Sequence, residues 1–225
     1  SNSGMLDNID TLDNTGTLNN SGMLDNIDTL NNGATGNNTG TLNNDSTLDN
    51  SGTLFNHATL NNNDGGTLDN SGSFYNNTGG TLINSVGGTL NNKAGSWLNN
   101  YSEMNNDGTL NNTGLLSNNS GGTLNNTYED VGGVPYWRVL QHSGTLNNDL
   151  GATVNNDGVV YSVGTVNNAG TLISSATGII YNGVCAAGEE GCVVGGTLNN
   201  NTDGTLTFQL GTIFDNTYGT LNNNA

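Results

Sequence analysis

Between residues 6 and 60 a large aliphatic side chain returns at steps of six, and that period limits what the chain can fold into. Leu6, Leu12, Leu18, Leu24 and Leu30 stand six apart; after Gly36 the series resumes at Leu42, Leu48, Leu54 and Leu60. Two positions after each anchor comes asparagine, and Asn38 keeps the register even where Gly36 replaces the anchor. A period of six does not fit an amphipathic helix, which repeats near 3.6. It fits a strand of about four residues followed by a corner, with alternate side chains on opposite faces. Gly16, Leu18 and Asn20 therefore point one way, and Thr17 and Asn19 the other. Leu enters the core, while Thr and the residue after Leu face solvent. The repeated Asn falls at the corner, where its amide bonds turn backbone and stacks on the Asn of the next coil.

One such unit cannot bury its own leucine, but a stack of them can, and short-period self-similarity is the mark of a solenoid. The expected fold is all-β: a parallel β-helix built from six- and eight-residue Gly-Thr-Leu-x-Asn-x units. The longer steps begin at Leu60 to Leu68, where the corner Asn63-Asp64-Gly65-Gly66 holds two extra residues. The core ladder includes Leu18, Leu42, Leu54, Leu90, Leu110, Leu146 and Leu198. The corner ladder includes Asn20, Asn44, Asn56, Asn92, Asn112, Asn148 and Asn200. Three units per coil would give roughly eleven coils and a rod of about 50 Å at the strand spacing. The organisation is a single domain over residues 1–225, with loop excursions at about 127–139 and 183–195.

Hydrophobic residues are only 32% of the chain and aromatics 6%, well below a compact globule of this length. The apolar residues are phased rather than scattered, so a thin column replaces a broad core. The formal charge is −17, from 19 acidic residues against Lys93 and Arg138. That balance excludes the basic footprint of nucleic-acid binding and favours solubility. No apolar run is long enough for a membrane helix. The chain begins and ends inside a repeat, at Ser1-Asn2-Ser3-Gly4 and Leu221-Asn222-Asn223. A removed leader or a longer parent protein is the expectation. Uncapped coils at both ends would template end-to-end stacking.

Two stretches break the register. Residues 127–139 hold the lone proline and arginine with several aromatics, and a loop on a rigid scaffold is where specific contacts are made. Tyr128, Tyr136, Trp137 and Arg138 are the candidate contact residues. The second break carries Cys185 and Cys192, the pair expected to form a disulfide in an oxidising compartment. With no other cysteine they do not make a four-cysteine zinc site. His142 lies near Arg138 and Asp130 in sequence, but two cations are too few to hold an acidic polysaccharide, so no enzyme is expected. Trp97 and Tyr101 beside Lys93 read as a corner cluster rather than a sugar-stacking site. The outward Asp7, Asp13, Asp25, Asp49 and Asp69 form a solvated face. No cofactor is expected beyond weak Ca2+ association with it.

The units Gly-Thr-Leu-Asn-Asn-Ser-Gly and Gly-Gly-Thr-Leu-Asp-Asn-Ser-Gly (residues 65–72) resemble the repeats of filamentous-haemagglutinin-like and other β-helical bacterial surface adhesins. The resemblance covers nearly the whole chain. It implies a right-handed, three-faced parallel β-helix, export to the cell surface, and adhesive or matrix roles. The expected function is an extracellular structural β-solenoid that self-assembles head to tail as a filament or surface-fibre subunit. The alternative is an adhesin stalk or binding segment that displays the 127–139 loop to a glycan or cell-surface receptor.

Overall fold

The repeat turns into structure at the level of single strands. In the computed structural model, which describes residues 1–131, 134–137, 139–182 and 196–224, nearly every unit is a four-residue strand. Thr41–Asn44 is representative: Thr and the first Asn are partly exposed, while Leu42 and Asn44 are buried. The same alternation recurs in Thr109–Asn112 and Thr197–Asn200. Thr suits the outward row because its branched β-carbon favours a half-exposed pleated surface.

Three strands make one coil. The first coil is Met5–Asn8, Thr11–Asn14 and Thr17–Asn20; the next begins at Met23–Asn26. Corresponding strands pair in parallel, in register, residue on residue: Leu6 on Leu24, and Leu110 on Leu140. The result is three ten-stranded parallel sheets, called here first, second and third in the order the chain visits them. Ten coils stand where simple division by the unit length gave eleven, because the Tyr128–Trp137 hairpin and the longer corners take up residues. At the strand spacing the stack is about 45 Å long.

The core is a column of anchors, one from each sheet per coil. Leu24, Leu48, Leu60, Phe74, Leu90, Met104 and Leu110 are all 0% exposed. Where an anchor is missing, a neighbour leans in: a β-carbon on Gly36 would stand 3.0 Å from Leu54 Cδ1. One coil carries three small anchors together, Val154, Val160 and Val166, and a cavity of about 30 Å³ opens around them.

Corners come in two sizes. The two-residue corner brings successive coils so close that a β-carbon on Gly40 would lie 2.1 Å from the Gly22 carbonyl oxygen. The four-residue corner closes with its own turn: the Gly66 N–H donates to the Asn63 carbonyl at 2.9 Å, and Gly65 has φ 78°. That positive φ at the third corner residue is what a type II turn demands and what glycine supplies without strain.

Two predictions follow from this packing. Leu110→Asp buries a carboxylate in the column, so its cost exceeds the roughly 2–5 kcal/mol of a buried Leu→Ala change. The exposed-row change Asp49→Asn stays within about 0.5 kcal/mol of the parent. Denaturant unfolding of both variants checks the inward and outward assignments. Gly40→Ala lowers the melting temperature, whereas Gly16→Ala, with no atom within 4 Å of the new carbon, does not; a scan of the two separates close approach from mere turn preference.

Candidate functional site

The corner asparagines are bonded along the rod. In the third sheet the Nδ2 of Asn2 donates to Oδ1 of Asn20, and the chain of bonds continues through Asn38, Asn56, Asn76, Asn100, Asn118, Asn148, Asn168 and Asn200 to Asn223. The first sheet repeats this from Asn8 to Asn156, which donates to Ser174 Oγ at 3.2 Å. The second repeats it from Asn14 to Asn112. Most of these Nδ2 groups also meet a main-chain carbonyl one coil on, as Asn20 does with Thr41 at 2.8 Å. A carbonyl only accepts, so the amide nitrogen must face it and the ladder has a direction. Inner Nδ2 groups point toward later coils.

The outward amide rows run the other way. Asn37 donates back to Asn19 at 2.8 Å, Asn61 back to Asn43, and Asn222 back to Asn199. An outer residue therefore need only accept from the following coil, and Asp does this: Asp13 accepts from Asn31, and Asp25 from Asn43. Asp69 accepts from Asn91 and pairs with Lys93 at 2.7 Å. Partial burial works to raise its pKa, but the Asn91 and Lys93 contacts together hold it below the usual carboxylate value. Register places Asp7 beside Asp25 and Asp49 beside Asp69. Among the described residues no group of three or more His, Cys, Asp or Glu side chains converges on a common point.

His142 occupies an inner rung. It stands two residues after the anchor Leu140, in the place of the asparagine, and is 2% exposed. The Asn112 amide meets its Nδ1 at 3.1 Å, and its Nε2 lies 2.9 Å from the Thr165 carbonyl. Nδ1 must accept and Nε2–H must donate, which sets one neutral tautomer. The imidazole thus reproduces two bonds of an asparagine, acceptance from the preceding rung and donation to a carbonyl one coil on, but not the donation to the next rung. Burial lowers its pKa below the ordinary 6.5, and the bond to the Thr165 carbonyl offsets this only in part. The position was readable in the sequence from the two-residue offset alone. The next rung is Ser162, too short to bridge: among the described residues its Oγ and Asn182 Oδ1 are the buried side-chain atoms without a partner.

Within the 127–139 excursion the described residues form two paired strands. Tyr128–Val131 pairs antiparallel with Val134–Trp137, Tyr128 opposite Trp137 and Val131 opposite Val134. Gly132-Gly133 between two β-rich runs is the hairpin signal that the sequence reading passed over. Alternation from the closing Val131–Val134 pair puts Pro135, opposite Asp130, at a site that needs no N–H donor. Tyr128, Tyr136 and Trp137 lie on this hairpin; Arg138 lies outside the described residues, as do Cys185 and Cys192. The hairpin enters between Thr123–Asn126 of the first sheet and Val139–His142 of the second. Trp97 is 53% exposed on the outer row of the third sheet, beside Leu115 of the next coil.

His142 gives the rod an acid-sensitive rung. In the folded chain it resists protonation, while in the unfolded chain it titrates near its ordinary value. Its contribution is present above about pH 6.5 and is lost as pH falls through the lower folded value, by at most about 1.4 kcal/mol per pH unit. The difference in unfolding free energy between the parent and His142→Asn, measured from pH 7.5 to 5, is expected to grow against the parent as pH falls. A pH-independent difference would mean that the ring does not titrate in this way.

No family model matches the chain, and no curated protein matches it. Among solved structures it is similar to the crystal structure of a TibC-catalyzed hyper-glycosylated TibA fragment, with a TM-score of 0.29 and 14% sequence identity over 97% of this chain and 99% of that one.

Proposed function

We propose that this protein is an extracellular structural rod, a β-solenoid that continues end to end as a filament or surface-fibre subunit. The observation that carries the reading is the directional ladder. Every cross-section through the first six coils offers inner Nδ2 donors on one side and inner Oδ1 acceptors on the other, as at Asn56 and Asn76; in later coils His142, Ser162, Ser174 and Phe208 interrupt the rows. Two such sections meeting head to tail continue all three ladders and all three parallel sheets. Head to head they oppose donor to donor. This property belongs to each of the first six coils, and it makes such a contact heterologous and non-closing. Burial of anchors and amides throughout the interior leaves shape and stiffness as what the rod offers, and the reading assigns it no catalytic role. Among the described residues no helix is long and apolar enough to cross a membrane.

A second reading is favoured by one element, the antiparallel hairpin of Tyr128–Val131 and Val134–Trp137. Here the rod is a stalk and the hairpin its contact with a glycan or receptor. Deletion of residues 128–137 separates the two readings, because a filament subunit still assembles without them while a displayed contact is lost.

Negative-stain electron microscopy of the purified chain is the direct test. Long unbranched threads a few nanometres wide are expected. Discrete rods of about 45 Å, the length set by ten coils, at every concentration would remove end-to-end assembly and leave the stalk.

A further inference from the structure

The acidic residues are not spread evenly around the rod. The edge between the first and second sheets carries Asp10, Asp28, Asp45 and Asp64 in the first four coils, then Asp107 and Asp157 in the sixth and eighth. The strands of those two sheets add Asp7, Asp25, Glu103, Asp13, Asp49, Asp69 and Asp215. The third sheet lies opposite that edge, and of the described acidic residues Asp149 and Asp203 stand at its corner with the first sheet. None of the residues in its ten strands, all described, is Asp, Glu, Lys, Arg or His. Its outer rows are Thr, Asn and Ser, interrupted in adjacent coils by Phe55, Tyr75, Trp97 and Leu115. The Phe55 and Tyr75 rings stack at 5.2 Å with their planes 20° apart. The apolar pair Tyr161 and Tyr181 lies instead on the second sheet, whose outer rows hold Asp13, Asp49, Asp69 and Asp215.

We infer that the third sheet is a lateral pairing face, and that its occupant is the same face of a second copy of this chain. Charge selects the partner. Two rods of net charge −17 repel when brought side by side, and this is the face that brings no charged strand to the contact. Sheets stand about 10 Å apart, so the acidic edge lies beyond the screening length of about 8 Å at physiological salt. Pairing through the third sheet puts the two acidic edges on opposite outer sides. The area is sufficient. Ten strands at the strand spacing, each about 13 Å long, present roughly 600 Å² per copy, about 1,200 Å² in total, within the range of stable interfaces. The apolar residues are placed for a two-fold contact. Trp97 and Leu115 are register neighbours, so a dyad passing between them sets Trp97 of one copy against the partner's Leu115, and the reverse. In such an isologous contact residue i meets j and j meets i, with an aromatic anchor at its centre.

The pairing is independent of end-to-end continuation, and one experiment keeps them apart. The parent, the double variant Trp97→Glu/Leu115→Glu and the control Ile83→Glu on the first sheet's outer row are compared by light-scattering mass and by particle width in negative stain. Circular dichroism confirms that each is folded. The expected result is a parent, and a control, of twice 23.1 kDa, or threads two rods wide where stacking also occurs. The double variant falls to single-chain mass or to threads one rod wide. Association of the parent tightens as salt is raised, because screening removes the residual repulsion. A parent that stays single in mass and width up to several hundred micromolar overturns the inference. So does pairing that survives in the double variant. A single-width parent that binds a neutral oligosaccharide column through Trp97 also overturns it, and assigns the face to sugar instead.

Discussion

A buried amide that gives and accepts at the same time is what the rest of the structure hangs on. A three-strand coil has almost no width, so the last residue of each strand must turn inward to close the corner and is buried as it does so. Asn44, Asn62, Asn100 and Asn168 are all 0% exposed. A polar group there is tolerated only if its bonds are complete. The carboxamide meets this requirement because it carries both donor and acceptor, and one methylene sets it at the corner. A carboxylate only accepts and brings a charge; leucine would leave main-chain carbonyls such as that of Thr41 without the Asn20 contact. The rule is chemical rather than a matter of residue name. His142 satisfies it with two ring nitrogens, and Ser162 does not.

Direction follows from the same bond. Inner Nδ2 groups point to later coils while outer Nδ2 groups point to earlier ones, so the two sets of amide dipoles oppose each other within each sheet. This arrangement accounts for where aspartate is admitted. On the outer row a residue can act as acceptor alone, and Asp13, Asp25 and Asp69 sit there, each taking a bond from the coil that follows. On the inner row it cannot, and no inner rung is acidic among the described residues. Acidity is thus confined to outer rows and corners. Its absence from the third sheet is a further asymmetry that the ladder does not require, and it gives the rod a charged edge and a neutral face.

The later coils depart from the pattern in a consistent way. Anchors shrink to Val154, Val160 and Val166, rungs become Ser162 and Ser174, and Phe208 takes the rung position in the last coil, where it stacks on Phe214 at 4.8 Å. Smaller inner side chains leave a cavity and two unpaired oxygens in the same neighbourhood. The hairpin enters one coil before. The cavity and the unpaired oxygens thus lie next to the titratable rung of His142.

Much of this was legible in the residues. A six-residue period with alternation inside it allows only short strands and corners, so the parallel solenoid, the inward Leu and Asn and the outward Thr are local consequences of spacing. Eight-residue steps could be placed at corners because a Gly-Gly pair marks them, whereas His142, read in the sequence only for its nearness to Arg138 and Asp130, emerged as a rung from the stacked coils. Other features are decided only when coils are stacked. Ten coils rather than eleven depend on which residues leave the stack. The direction of each ladder depends on which carbonyl stands one coil on. The neutral face exists only because three strands make a coil, so that every third unit falls in one column. The reason is physical: a strand's two faces are set by its own backbone, but the neighbour above it lies 18 to 34 residues away, and that distance changes with every longer corner.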